Sequence, residues 1–275
     1  MDERPMLRLD LRPSARTYVL DLIRARELIV AIAWTNVRTR HGKLALGWAW
    51  NLLDPLLMLG VYWLVFGTLL AGRRPQDFLA FLAVGSFLFR FVQSTVTAGS
   101  SSLHRNLGML RQMRFPRAVL PASETLESAI VLLLQLPVVA GIVIVSSGRV
   151  RPGWIVLLVV LIPLLATFSL GCALLVARVA HRIVDFTKVL PYLFRILFYG
   201  SGVLFPIDTI LDGHPLEAWL PVNPLYVFVT LGRHLVIEPR EDVLLLWASV
   251  VVWTVASITV GLAVFLRAEQ RYGRG

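Results

Sequence analysis

The chain has 275 residues, 57% of them apolar and 16% charged, against roughly 45–50% and about 25% in ordinary soluble domains. That balance excludes a water-soluble globular domain and puts most of the chain in lipid. The net charge of +10 reads first as membrane topology, because the cations lie between apolar runs, and without basic–aromatic interleaving no nucleic-acid partner is expected. The single cysteine, Cys172, sits within an apolar run. No intrachain disulfide or cysteine metal cluster can form, and it reads as a small packing residue. Residues 1–17 hold four arginines and no apolar core, so no cleavable signal is expected and the first span is expected to direct insertion.

In chain order, residues 18–40 are apolar but carry Asp21, Arg24, Arg26 and Glu27. These charges make a dry crossing costly and predict an interfacial amphipathic helix. Arg38, Arg40 and Lys43 follow, cations that suit a helix C-terminus and an anionic leaflet. Residues 44–70 start at Trp48 and Trp50 and run through enough apolar residues to form the first span, since a bilayer requires about 20. Arg73 and Arg74 mark a short turn, and residues 78–97 return.

Residues 103–121, LHRNLGMLRQMRFPRAVLP, are the longest basic interruption, with Arg105, Arg111, Arg114 and Arg117 and no acid. Leu103, Leu107 and Leu110 recur at i, i+4 and i+7, which gives a short helix one apolar stripe and a basic opposite face. Phe115-Pro116 ends it, because proline has no N–H and disfavours helix in the preceding residue. Two readings stay open: the stripe docks into a groove on a cytoplasmic partner, or the helix lies on the membrane with its arginines among headgroups.

Residues 129–145 then go out and 154–179 come back, followed by a basic loop with Arg178, His181, Arg182, Asp185 and Lys188 and a fifth span at 189–205. Residues 206–243 differ, with six acids, two arginines and five prolines. Their one apolar run, 225–237, would reach only about 20 Å as a helix, short of the roughly 30 Å hydrocarbon core. It is expected to be a re-entrant or rim helix, and 244–266 to be the sixth span. The expected fold class is therefore an all-α membrane protein of six transmembrane helices, with an N-terminal segment 1–43, a spanning domain 44–266 containing the 98–128 loop, and a tail 267–275. Of 27 Lys and Arg, 19 fall in the N-terminal segment, the 98–128 and 178–188 loops and the tail. Six lie in the other loops and two, Arg90 and Arg195, within spans, so both termini are predicted cytoplasmic.

No G-x-x-x-x-G-K-[ST] occurs, so no nucleotide can be cradled in the P-loop manner. His41, His104, His181, His214 and His234 show no metal-ligand spacing, and there is no G-x-S-x-G elbow. The one acid near the start of a span, Asp54, would serve a proton-coupled carrier or simply be solvated among headgroups. Arg195 is within snorkelling reach of the headgroups, whereas Arg90, a dozen residues into the second span, faces either an aqueous pathway or a partner. Tyr192, Arg195 and Tyr199 share one helix face, and with Tyr62 and Phe66 they either line a saccharide path or belong to ordinary packing and interfacial belts.

Three sets of residues carry a resemblance. Arg38-x-Arg40 through Leu46-Gly47, Trp50 and Pro55 form the first; Asn106 with Met113-Arg114-Phe115-Pro116-Arg117 and Leu120-Pro121 the second; Phe205-Pro206-Ile207, then Asn223-Pro224 and Arg233, the third. In this order they resemble the membrane subunit of ATP-binding-cassette exporters of O-antigen, teichoic acid or galactan chains. Asp54, before Pro55, and Asp208, after Pro206-Ile207, depart from the family's pattern. The resemblance implies a homodimer of six-span subunits in the bacterial inner membrane, docked on two cytoplasmic ATPases that bind the ATP and Mg, with no cofactor in this chain. It assigns ATPase coupling to Leu103, Asn106, Leu107, Leu110, Arg114, Phe115, Pro116 and Arg117. Access of a lipid-linked pyrophosphate falls to Arg38, Arg40 and Lys43, and the channel lining to Tyr62, Phe66, Arg90, Tyr192, Arg195 and Tyr199. An external gate between spans five and six takes Pro206, Asn223, Pro224 and Arg233. Other readings are an exporter permease for a small lipid or drug, a membrane-bound transferase acting on lipid-linked substrates, and a proton-coupled carrier.

Overall fold

The computed structural model describes residues 15–41, 47–69, 77–113, 115–183, 185–211, 213–237 and 243–267, which contain helices and no strand. α1 (Ala15–Arg24) and α2 (Arg26–His41) form the N-terminal arm. They are followed by α3 (Trp50–Leu69), α4 (Phe78–Arg105), the short α5 (Leu107–Gln112) and α6 (Val119–Ser147). α7 (Gly153–Arg182) contains a π segment at Leu157–Leu161. Then come α8 (Phe186–Gly200), α9 (Ile207–Ile210), a 3-10 stretch Pro215–Val222, α10 (Pro224–Val236) and α11 (Val243–Leu266).

Five of these helices, α3, α4, α6, α7 and α11, are long and apolar enough to cross a membrane. The predicted fifth span differs: α8 has 15 residues, roughly 22 Å at the helical rise, and breaks at Gly200–Gly202, where Gly202 has φ +64°. α4 is the central pillar. Of its most apolar stretch 67% is buried, against 17% in α3 at the periphery. Phe87, Phe89 and Leu82 of α4 form one cluster with Leu161 and Leu165 of α7 and Phe228 of α10.

Small residues set the closest approaches. A Cβ on Gly99 would sit 2.7 Å from Cβ of Ala173, and one on Gly171 would meet the backbone of Ser257. Gly261 likewise faces the Gly171 carbonyl, so α7 and α11 cross backbone to backbone, as small residues allow in lipid. Both helices contribute their C-terminal ends, Leu174, Ala177 and Phe265, to a second cluster with Tyr18, Leu103, Leu110, Ala118 and Leu120. Hence α7 and α11 run in the same direction, and the residues between them return the chain from one end of the molecule to the other.

Candidate functional site

At the end that holds Tyr18 and Leu103, the 103–121 region folds back on its own chain. Leu103 and Leu110 are buried and Leu107 is half-buried, in the cluster just described. The stripe predicted to press on a partner or on lipid is therefore turned inward, because Tyr18 of α1 and Phe265 of α11 supply an apolar cover that composition does not reveal. The hydroxyl of Tyr18 accepts from the Ala118 N–H at 3.1 Å. Asn106 ends α4 and donates to Ser102 O at 2.8 Å. Phe115, Pro116 and Arg117 are half-buried, whereas Arg111, Gln112 and Met113 are exposed and form the outward face. Arg114 lies outside the described residues.

The same end holds a buried carboxylate. Glu124 of α6, 2% exposed, accepts from Arg105 of α4 at 2.9 Å and from Asn36 of α2 at 3.2 Å. An ion pair removed from water is viable only with such added hydrogen bonds. It ties the N-terminal arm to the start of the 103–121 region. Of the predicted access residues, Arg38 sits on the exposed side of α2 with its guanidinium 5.2 Å from the Trp34 ring. Lys43 and the side chain of Arg40 lie outside the described residues.

Midway along α4, Arg90 forms an ion pair with Asp54 of α3. The pairing puts Arg90 level with the second turn of α3, because α4, at 28 residues or about 42 Å, overshoots α3 at this end. Asp54 is thus paired, where its position near a helix start suggested either a carrier's proton site or solvation among headgroups. Arg90 separates two clefts. One, about 420 Å³, lies between α3, α4 and α6 and includes Trp50, Asp54, Ser94, Glu127 and Gln135. The other, about 320 Å³, lies between α3, α4 and α8 and includes Tyr62, Ser86, Gln93, Arg195, Phe198 and Tyr199.

Four predicted channel residues, Tyr62, Arg90, Arg195 and Tyr199, thus meet in one cleft. Tyr62 packs its ring 5.5 Å from Phe198. Phe66 packs on the core, and Tyr192, 66% exposed, does not line the cleft. α3 enters this site with Pro55 inside it, which leaves the Asn51 carbonyl without its i+4 donor. Gln135 of α6 supplies the missing donor at 2.6 Å.

At the far end, the predicted gate residues act as ties. Asn223 caps α10: its side-chain oxygen accepts from Leu225 N and Tyr226 N, and its amide donates to Gly200 O at 3.0 Å and Ser201 Oγ at 3.1 Å. Pro224 fills the first turn, where a missing N–H costs nothing. Arg233 donates to Phe81 O at 3.1 Å, Gly202 O at 2.8 Å and Val203 O at 2.9 Å, and stacks 3.3 Å from the Phe81 ring. It touches Gly85 of α4, the residue whose lack of a Cβ admits the guanidinium. Pro206 precedes α9. Sequence reasoning missed Tyr18, Asn36, Glu124 and Gln135. The available signal was polar residues in apolar stretches that must find partners.

The ABC-2 type transporter family matches residues 27–236, the stretch that contains the 103–121 region, both clefts and the Asn223 and Arg233 ties. The chain belongs to that family. It is similar to the O-antigen export system permease protein RfbA of Myxococcus xanthus, 27% identical over 84% of this chain and 93% of the relative. It is also similar to the polysialic acid transport protein KpsM of Escherichia coli, 27% identical over 88% of this chain and 93% of the relative. A third relative is the capsule polysaccharide export inner-membrane protein CtrC of Neisseria meningitidis, 26% identical over 66% of this chain and 68% of that protein. The chain is a transport permease and not an enzyme, since ATP hydrolysis in these systems resides in a separate subunit.

Proposed function

We propose that this ABC-2 permease exports a lipid-linked polysaccharide across the bacterial inner membrane, as a homodimer docked on two cytoplasmic ATPases that hold the ATP and Mg. The observation that carries this reading is the likeness, over more than four-fifths of the chain, to permeases named for O-antigen and polysialic acid. Six crossings with both termini cytoplasmic fit the parallel course of α7 and α11, with α8 and the residues after it as the additional crossing. The 19 cations on the side of the termini fit the same orientation.

Motion begins where the partner docks, at Arg111, Arg114 and Arg117 and the exposed Gln112 and Met113. The Arg105–Glu124–Asn36 network and the Tyr18–Ala118 hydrogen bond join that face to α2, α4 and α6, so the whole end moves as one body. Its displacement changes the spacing of α3 and α8, between which the glycan passes along Tyr62 and Tyr199. The carrier's pyrophosphate is met by Arg38, Arg40 and Lys43, and the Asn223 and Arg233 ties hold the outer segment 206–237 as the gate.

Purification of tagged chain from its native host in mild detergent tests this reading. A P-loop ATPase should co-purify near stoichiometry and be lost when Arg114 and Arg117 are replaced by Glu. Recovery of the chain alone, or unchanged export by that variant, overturns the coupling assignment.

A further inference from the structure

The two clefts beside Arg90 differ in charge. Among the described residues, the wall between α3, α4 and α6 carries Asp54 and Glu127 along with Arg90. The wall between α3, α4 and α8 carries Arg90 and Arg195 and no acid. Arg90 is neutralised by Asp54. Among the described residues no acid pairs with Arg195; its charge rests 6.0 Å from the Tyr192 ring, an interaction weaker than a charge-assisted hydrogen bond. A guanidinium on a membrane-protein helix conventionally snorkels to the headgroups, pairs or lines a pathway, and Arg195 lines the cleft.

A second observation comes from the wall of the same cleft. The hydroxyl of Ser86, on α4 and in the cleft wall, is buried and makes no hydrogen bond, although a helical serine ordinarily bonds back to the i−4 or i−3 carbonyl. Gln93, Tyr62 and Tyr199 place further polar ends around it. The cleft thus offers one cation, several hydroxyl and amide groups, and flat aromatic faces.

We infer that the α3–α4–α8 cleft is an anion subsite, which takes a carboxylate or phosphate oxygen group of the transported molecule on Arg195, with Ser86 and Gln93 as neutral hydrogen-bonding partners. This rests on the export reading above and deepens it: the transported molecule presents an anionic group to this cleft. Asp54 serves the subsite by holding Arg90, so that the cleft presents one unpaired cation and releases its ligand as the chain advances. The anion has two possible sources, an acidic sugar of the glycan or the phosphate of the lipid carrier.

The test uses the purified permease–ATPase complex in detergent and isothermal titration with three probes: a galacturonate oligomer, a neutral galactose oligomer of equal length, and undecaprenyl pyrophosphate. Wild type should bind an acidic probe at least about tenfold more tightly than the neutral one, the scale of one charge-assisted hydrogen bond. Arg195→Gln should abolish that preference and Arg195→Lys should keep most of it. Loss confined to the galacturonate oligomer assigns the subsite to an acidic sugar, and loss confined to undecaprenyl pyrophosphate assigns it to the carrier. Binding of neither acidic probe more tightly than the neutral oligomer, or a preference untouched by Arg195→Gln, overturns the anion subsite while leaving the export reading standing. Absence of an associated ATPase would instead overturn the export reading.

Discussion

Gln135 offers the sharpest test of how this fold is held. It is 6% exposed and donates to the Asn51 carbonyl at 2.6 Å, the group that Pro55 cannot serve because proline has no N–H. Gln135→Leu keeps the volume and removes the donor. A buried carbonyl left dry costs about 1–3 kcal/mol, and side-chain hydrogen bonds between membrane helices fall nearer 0.6–2 kcal/mol, so the expected loss is roughly 1–2 kcal/mol. In a Pro55→Ala background the alanine restores the backbone N–H at that position, which reaches Asn51 O within the helix, and Gln135→Leu should then cost less than about 0.5 kcal/mol. SDS titration of the four proteins in mixed micelles, followed by circular dichroism, gives the coupling energy directly. An equal loss from Gln135→Leu in both backgrounds would refute the idea that Gln135 substitutes for the proline's missing donor.

Three further outcomes can be read from thermal melts in detergent. Arg105→Met leaves the buried Glu124 carboxylate without that guanidinium and should destabilise by about 3 kcal/mol, more than Glu124→Gln, which removes the charge but keeps an acceptor. Gly171→Ala drives a Cβ into the Ser257 backbone and should cost roughly 1–3 kcal/mol, whereas Gly60→Ala, with nothing within 4 Å, should be neutral or stabilise by up to about 1 kcal/mol. Arg233→Lys gathers its three donors on one nitrogen, whereas Nε, Nη1 and Nη2 of the guanidinium each reach a different carbonyl, and should lose about 2 kcal/mol; Gly85→Ala, whose Cβ lands on that guanidinium, should reproduce the loss.

Long apolar runs made α3, α4, α6, α7 and α11 legible, because lipid demands length and lacks water to satisfy an irregular backbone. The 225–237 run was legible as too short to span, and α10 (Pro224–Val236) is a 13-residue helix. Proline and asparagine placed its start, since Asn223 caps and Pro224 opens it. The fifth run was less legible. Residues 189–205 match a span in composition, yet the helix stops at Gly200 and starts earlier, at Phe186, since Gly202 takes a left-handed φ that a continuing helix cannot use.

Depth and partnership were hidden for a common reason. Periodicity assigns each residue to a face of its own helix, but not to a level in the bundle, which depends on how far neighbouring helices overshoot one another. Counting from the start of its own helix put Arg90 deep and Asp54 shallow; the overshoot of α4 brings both to one level and turns two isolated charges into a pair. The Leu103, Leu107 and Leu110 stripe was legible as a stripe, but its cover, Tyr18 and Phe265, comes from residues near opposite ends of the chain. That arrangement has a functional consequence. Because α1, the end of α4, the start of α6 and the ends of α7 and α11 share one apolar cluster beside the Glu124 ion pair, the proposed docking of a partner at Arg111 and Arg117 would reach every long helix except α3 directly. In that proposal α3, held to α4 and α6 by the Asp54 and Gln135 contacts, would be the helix that shifts relative to the rest, and it forms one wall of both clefts.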